Sequence, residues 1–122
     1  MAAQPRIVLV IDDDPSMLRS ITRLLAVHGF ATEAFSSAEA FLATDIPSAA
    51  TCLLLDIHLD GISGIDLHRR LSASGSRLPI IFMTAVDDDA ACKEAMETGC
   101  VAYLRKPFPA SQLLDAIEKV AA

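Results

Sequence analysis

The sequence predicts an α/β domain: a doubly wound five-stranded parallel sheet with five helices over its two faces. Three observations carry this. Apolar runs of strand length alternate with amphipathic stretches of helical period along the whole chain. The inner runs are apolar at every position, as in parallel strands covered on both faces. Several of those runs stop abruptly at polar residues, and open parallel sheets gather their polar chemistry at the carboxyl ends of strands.

The elements follow in order. "RIVLVI" (6–11) is the first buried strand, ended by "DDDP". Asp14 is placed to cap the next helix, with Pro15 at its first position. Met17, Leu18, Ile21, Leu24 and Leu25 fall on one side of that helix, which ends near His28-Gly29. "FATEAF" (30–35) is short and more polar, which predicts an edge strand. "SSAEAFLA" (36–43) reads as a short helix opened by a Ser36–Glu39 capping box. "TCLLLD" (51–56) is a buried strand, and "GIDLHRRLSAS" (64–74) an amphipathic helix stopped by Gly75. "LPIIFMTA" (78–85) is the next buried strand. "DDDAACKEAMETG" (87–99) is a helix with acids in its first turn, favourable to the helix dipole. "VAYLRKP" (101–107) is the last strand and "ASQLLDAIEKVA" (110–121) the closing helix. Strand-to-strand connections should be right-handed.

Composition narrows the class. At 122 residues one domain, spanning 1–122, is expected. Hydrophobic residues make up 52% and aromatics 5% with no Trp, so the core is aliphatic. A net charge of −6 argues against direct nucleic-acid binding by this domain. Cys52, Cys92 and Cys100 are odd in number and lack metal-ligand spacing, which suits reduced thiols in a cytoplasmic protein. No apolar run approaches the ~20 residues that span a bilayer, and "MAAQPR" contains no signal-peptide core.

The strand ends are the informative part. The first strand ends in Asp12-Asp13-Asp14, the third in Asp56, the fourth in Thr84-Ala85 and the fifth in Lys106-Pro107. If these strands point the same way, the groups meet in one crevice. Clustered carboxylates repel, so either one takes up a proton or a cation binds among them. An oxygen-only donor set favours a hard ion such as Mg²⁺. A carboxylate, a hard cation, a lysine and a hydroxyl together suit transfer of a phosphoryl group onto the carboxylate. Each piece alone is ordinary: an acid before a helix is usually a cap, and an Asp after a strand a turn residue. Their occurrence at four strand ends is what carries weight.

"VLVIDDD" (8–14), "CLLLDIHLDGISGIDL" (52–67), "PIIFMTA" (79–85) and "AYLRKPF" (102–108) resemble the receiver domain of bacterial two-component response regulators, over essentially the whole chain. "FMTA" with "KPF" is most similar to the FixJ or NarL branch. The resemblance implies a flavodoxin-like sheet of order 2-1-3-4-5. It implies Asp56 as phosphoacceptor, taking a phosphoryl group from a phosphohistidine of a sensor histidine kinase or phosphotransfer protein. Asp13 would bind Mg²⁺ directly, Asp12 mainly through water, and the His58 carbonyl would complete the set. Thr84, the Ala85 amide and Lys106 would hold phosphoryl oxygens. The Lys106–Pro107 bond would be cis, and Tyr103 would be the switch aromatic that turns inward with Thr84. The signal would repack the face of fourth helix, fifth strand and fifth helix, through which phosphorylated copies could pair.

Some positions depart from the family pattern. Asp60 stands where the family most often has proline and reads as a solvated loop acid. His58, two after Asp56, would face the hydrolytic water and tune phosphoryl lifetime, while Val86, two after Thr84, cannot handle a proton. His68 reads as a packing residue and His28 as a helix end. Two rival readings stand beside this one. A haloacid-dehalogenase-like phosphatase also uses an aspartate nucleophile, but Ile57-His58 after Asp56 breaks its D-x-D pattern. A pseudo-receiver that acts without phosphorylation would require loss of a site residue. No helix-turn-helix segment follows Val120-Ala121-Ala122, so either a stand-alone receiver or an excised domain of a longer regulator is expected.

Overall fold

A computed structural model of the protein describes residues 6–85 and 89–121. Its elements are β1 (Arg6–Ile11), α1 (Pro15–Val27), β2 (Phe30–Phe35), α2 (Ala38–Leu42), β3 (Ala50–Asp56), α3 (Gly64–Ala73), β4 (Ile80–Thr84), α4 (Asp89–Glu97), β5 (Ala102–Arg105) and α5 (Ala110–Ala121). All strand pairs are parallel and the order is β2-β1-β3-β4-β5, as the sequence implies.

The continuous apolar runs divide between two helical layers because successive side chains leave a strand on opposite faces. Leu9, Ile11, Leu53, Leu55 and Phe82 pack with Ala38 and Phe41 of α2, Leu67 and Leu71 of α3, and Ala91 and Ala95 of α4. Val8, Val10, Leu54, Ile81 and Met83 face the other way, onto Ile21 and Leu25 of α1 and Leu113 and Ile117 of α5. Among the described residues β2 is an edge strand as expected, paired only to β1 and only partly buried along most of its length.

Asp14 caps α1, its carboxylate accepting from the Ser16 N–H at 2.9 Å, with Pro15 behind it. One expectation fails. α2 is capped by Ser37, not Ser36: the Ser37 hydroxyl accepts from the Ala40 N–H at 3.0 Å. Two adjacent serines offer the same chemistry, and the extended backbone at Ser37 decides between them. Glu39 is thereby left out of any reciprocal cap. β4 and β5 are also shorter than their apolar patterns. Leu78 and Pro79 lie before the first paired residue of β4, and the chain leaves the ladder at the cis Lys106–Pro107 bond after β5. Val86, Asp87 and Asp88, to which the sequence assigns a site-facing position and part of a helical first turn, lie outside the described residues.

Candidate functional site

The strand order reverses direction between β1 and β3, which lie side by side at the centre of the sheet. Their carboxyl ends therefore open the crevice in which ligands of such sheets bind. Asp12 follows β1 and Asp56 ends β3. Both are buried, at 0% and 6% exposure, while Asp13 beside them is exposed. Oxygens of Asp12, Asp13 and Asp56 lie within 4.8 Å of one another.

Two buried carboxylates this close need a cation. Lys106 supplies it, from just beyond β5. Its Nζ donates to Asp12 Oδ2 at 2.6 Å and to Asp56 Oδ2 at 3.0 Å. The other oxygen of each acid turns to backbone: Asp12 Oδ1 accepts from the Asp14 N–H and Asp56 Oδ1 from the His58 N–H, both at 2.9 Å. Each carboxylate is thus held at both oxygens. Burial pushes the Asp56 carboxyl above its ordinary value, against the hydrogen bond and charge of Lys106 and the His58 amide; the charge of Asp12 adds to the rise. Burial works to lower the Lys106 ammonium, but its bonds to Asp12 and Asp56 and their charges together leave it raised.

Thr84 ends β4 fully buried, and its carbonyl accepts the Lys106 N–H at 2.7 Å, which brings the lysine's own backbone to the crevice. Ala85 follows it and is exposed. Tyr103 lies in register with Phe82, half-buried against the α3/α4 layer, on the strand that leads to Lys106. His58 and Asp60 project from the β3–α3 loop, exposed. The structure thus draws Asp12, Asp13, Asp56 and Lys106 into one constellation, with Thr84 at the neighbouring strand end.

The remaining histidines behave as structural residues. His68 Nδ1 lies 2.9 Å from Thr98 Oγ1, with its ring edge-on to Phe82 at 5.7 Å. His28 ends α1, with Nδ1 3.0 Å from the Leu24 carbonyl. The three cysteines are free, and burial pushes the Cys52 thiol up to about 12, so it is inert.

One site residue was not legible as such. A Cβ on Gly64 would stand 2.3 Å from the Asp56 carbonyl oxygen and 2.9 Å from Ile57 Cα. The start of α3 therefore rests directly on the backbone that carries Asp56. The signal in the sequence is a glycine at a helix's first residue, where a side chain is usually welcome.

The donor set suits a hard divalent cation. It is all oxygen, it includes one solvent-facing acid through which water can remain bound, and Lys106 leaves it two net negative charges.

The acidic crevice at the centre of the doubly wound sheet is thus closed by a lysine from just beyond β5. The chain belongs to the response regulator receiver domain family, whose model matches residues 8–118. It is 40% identical over 116 residues to Nodulation protein W of Bradyrhizobium diazoefficiens, covering 95% of this chain and 51% of that protein. It is 36% identical over 110 residues to the transcriptional regulatory protein FixJ of Azorhizobium caulinodans, covering 90% and 52%. The chain spans about half the length of the curated relatives it matches. Among solved structures, FixJ-N superposes with a TM-score of 0.87 at 32% identity, covering 98% of this chain and 95% of that one. A receiver protein from Pseudoalteromonas atlantica superposes at 0.89 with 26% identity, covering 94% and 96%. No helix among the described residues is long and apolar enough to cross a membrane.

Proposed function

We propose that this domain accepts a phosphoryl group on Asp56 from a phosphohistidine of a sensor histidine kinase or phosphotransfer protein in the cytoplasm, and passes the signal to an output domain or partner. The observation that carries the reading is the shared grip of Lys106 on Asp12 and Asp56. It holds one carboxylate rigid at the mouth of the crevice, with a second poised for a cation.

Asp12, Asp13, Asp56 and the His58 carbonyl would hold Mg²⁺. When bound, the ion would supply positive charge that offsets the charge on the transferring oxygens. An oxygen of Asp56 attacks phosphorus, a P–O bond forms, the P–N bond to the donor imidazole breaks, and the nitrogen leaves with the bonding pair. Lys106 then exchanges Asp56 Oδ2 for a phosphoryl oxygen while keeping Asp12. The Thr84 hydroxyl and the Ala85 amide bind the other oxygens. Drawing Thr84 to the phosphoryl group vacates space for Tyr103, which repacks the α4-β5-α5 face and favours pairing of two copies there. The domain acts as an enzyme only on itself, in its own phosphorylation and dephosphorylation; the exposed His58 side chain faces the water that ends the signal.

The test is incubation with acetyl phosphate and Mg²⁺, followed by intact-mass measurement. One added phosphoryl group on the wild type and none on Asp56→Ala is expected. Equal labelling of both would remove Asp56 from the role, and no labelling with no beryllofluoride binding would leave a phosphorylation-independent interaction module.

A further inference from the structure

Released from a cap on its own helix, Glu39 reaches the β3–α3 loop. Its Oε1 accepts the Ile62 N–H at 3.1 Å, across 23 residues of sequence. Its Oε2 lies over Gly61, where a Cβ would stand only 2.7 Å away. The Gly61 backbone, at φ +78°, thus leaves the space that the carboxylate fills.

Both ends of this contact are informative. Glu39 stands on a fixed base, because Ala38 and Phe41 of α2 are buried and the Phe41 ring meets Phe35 edge-on at 5.4 Å. The loop is pinned at its two ends. The Ile57 N–H donates to the Met83 carbonyl, the Gly64 N–H to the Ile57 carbonyl at 3.0 Å, and Ser63 caps α3. Between them, Asp60 and Gly61 are exposed and fall outside the hydrophobic layers. Glu39 gives this loop a side-chain hydrogen bond from outside the two elements it joins, at a point well away from the bond between the His58 N–H and Asp56. The loop begins at the residue after Asp56 and carries His58.

We propose that Glu39 is a positioning residue: its carboxylate props the middle of the β3–α3 loop, so that the His58 carbonyl and Asp56 are preset for the divalent cation. The inference rests on the proposed function. Leu59 and Ile62 pack on the core to either side of Asp60-Gly61; without the Glu39 bond that exposed stretch between them samples conformers that binding must freeze out, and the frozen freedom weakens binding. The role depends on reach and on an acceptor oxygen, not on charge.

Three variants separate these properties. Glu39→Gln keeps the length and an acceptor but loses the charge. Glu39→Asp keeps the charge but falls one methylene short. Glu39→Ala keeps neither. Two readouts serve: calorimetric titration with Mg²⁺ alone, and amide exchange of Ile62 in the metal-free protein. Mg²⁺ binding should weaken by about tenfold in the Ala and Asp variants, the low end of what supporting contacts contribute to metal affinity. The Ile62 amide should exchange faster in both, while Glu39→Gln follows the wild type. Unchanged affinity in Glu39→Ala beside a wild type that binds Mg²⁺ overturns the strut and leaves the proposed function standing. Glu39→Asp behaving as wild type while Glu39→Gln fails overturns it in favour of charge. A wild type that does not bind Mg²⁺ overturns both.

Discussion

Replacing Lys106 by Met keeps most of the apolar stem and removes the ammonium. The side chain is 12% exposed and sits between Asp12 at 0% and Asp56 at 8%. Breaking a buried pair by removing one partner costs about 3–5 kcal/mol, because the other charge is left unpaired. Here two carboxylates lose their cation, but the crevice opens to water beside the exposed Asp13, so the lower end applies: about 3 kcal/mol at pH 7.5. For a domain of this size that is about 10 °C in Tm. The pH dependence follows from Asp56. Its folded-state pKa is already raised, so stability associated with it is gained, not lost, as pH falls through that pKa and the buried charge disappears. Lys106 holds that pKa down; without it the rise is larger and the gain begins at higher pH. The deficit of Lys106→Met should therefore shrink between pH 7.5 and pH 5.5. Urea denaturation of both proteins at the two pH values measures it. A loss under about 1 kcal/mol at pH 7.5, or an equal loss at both, would refute the claim that the lysine's main stabilising task is to neutralise this pair.

Gly64→Ala should destabilise the domain by about 1–3 kcal/mol, the range for overpacking, because the added Cβ meets the Asp56 and Ile57 backbone and not a movable side chain. In the same variant acetyl phosphate labelling should slow, and a labelling rate equal to wild type would show that Asp56 is not displaced. His68 is held below its ordinary pKa by burial. The unfolded chain then takes the proton first, so the stability it contributes is complete above about pH 6.5 and declines as pH falls below that. Comparing wild type with His68→Asn by urea denaturation at pH 7.5 and 5.5 should show the difference narrowing at the lower pH; a constant difference would assign the acid sensitivity to other groups.

The layered fold was legible because its signals are local. β1 and β3 announce themselves as apolar runs, and Asp14-Pro15, Gly75 and Gly99 mark helix boundaries that the structure keeps. The site was half legible. Four strands ending in polar residues imply a crevice, but the bond from Lys106 to Asp12 joins residues 94 apart and depends on β5 lying across β4 from β3. Only strand order, which the family resemblance implied, puts the lysine there. What stayed hidden depends on close approach between elements. Glu39 looked like half of a cap because the local pattern Ser-x-x-Glu fits one, and a competing serine one residue later changed its partner. Gly64 looked like a helix start, since its crowding against Asp56 exists only after β3 and α3 have packed.

Charge in the crevice explains why these supports matter. Three carboxylates and one ammonium already leave it negative by two. On the proposed function, phosphorylating Asp56 replaces a single negative charge by nearly two, in a site whose burial already penalises ionised Asp56. Lys106 cannot offset that alone while it also holds Asp12. The phosphorylated state therefore depends on the cation more steeply than the resting state does. Small losses of geometry in its ligands, from a loosened β3–α3 loop or a displaced Asp56 backbone, should then register in phosphorylation before they register in folding.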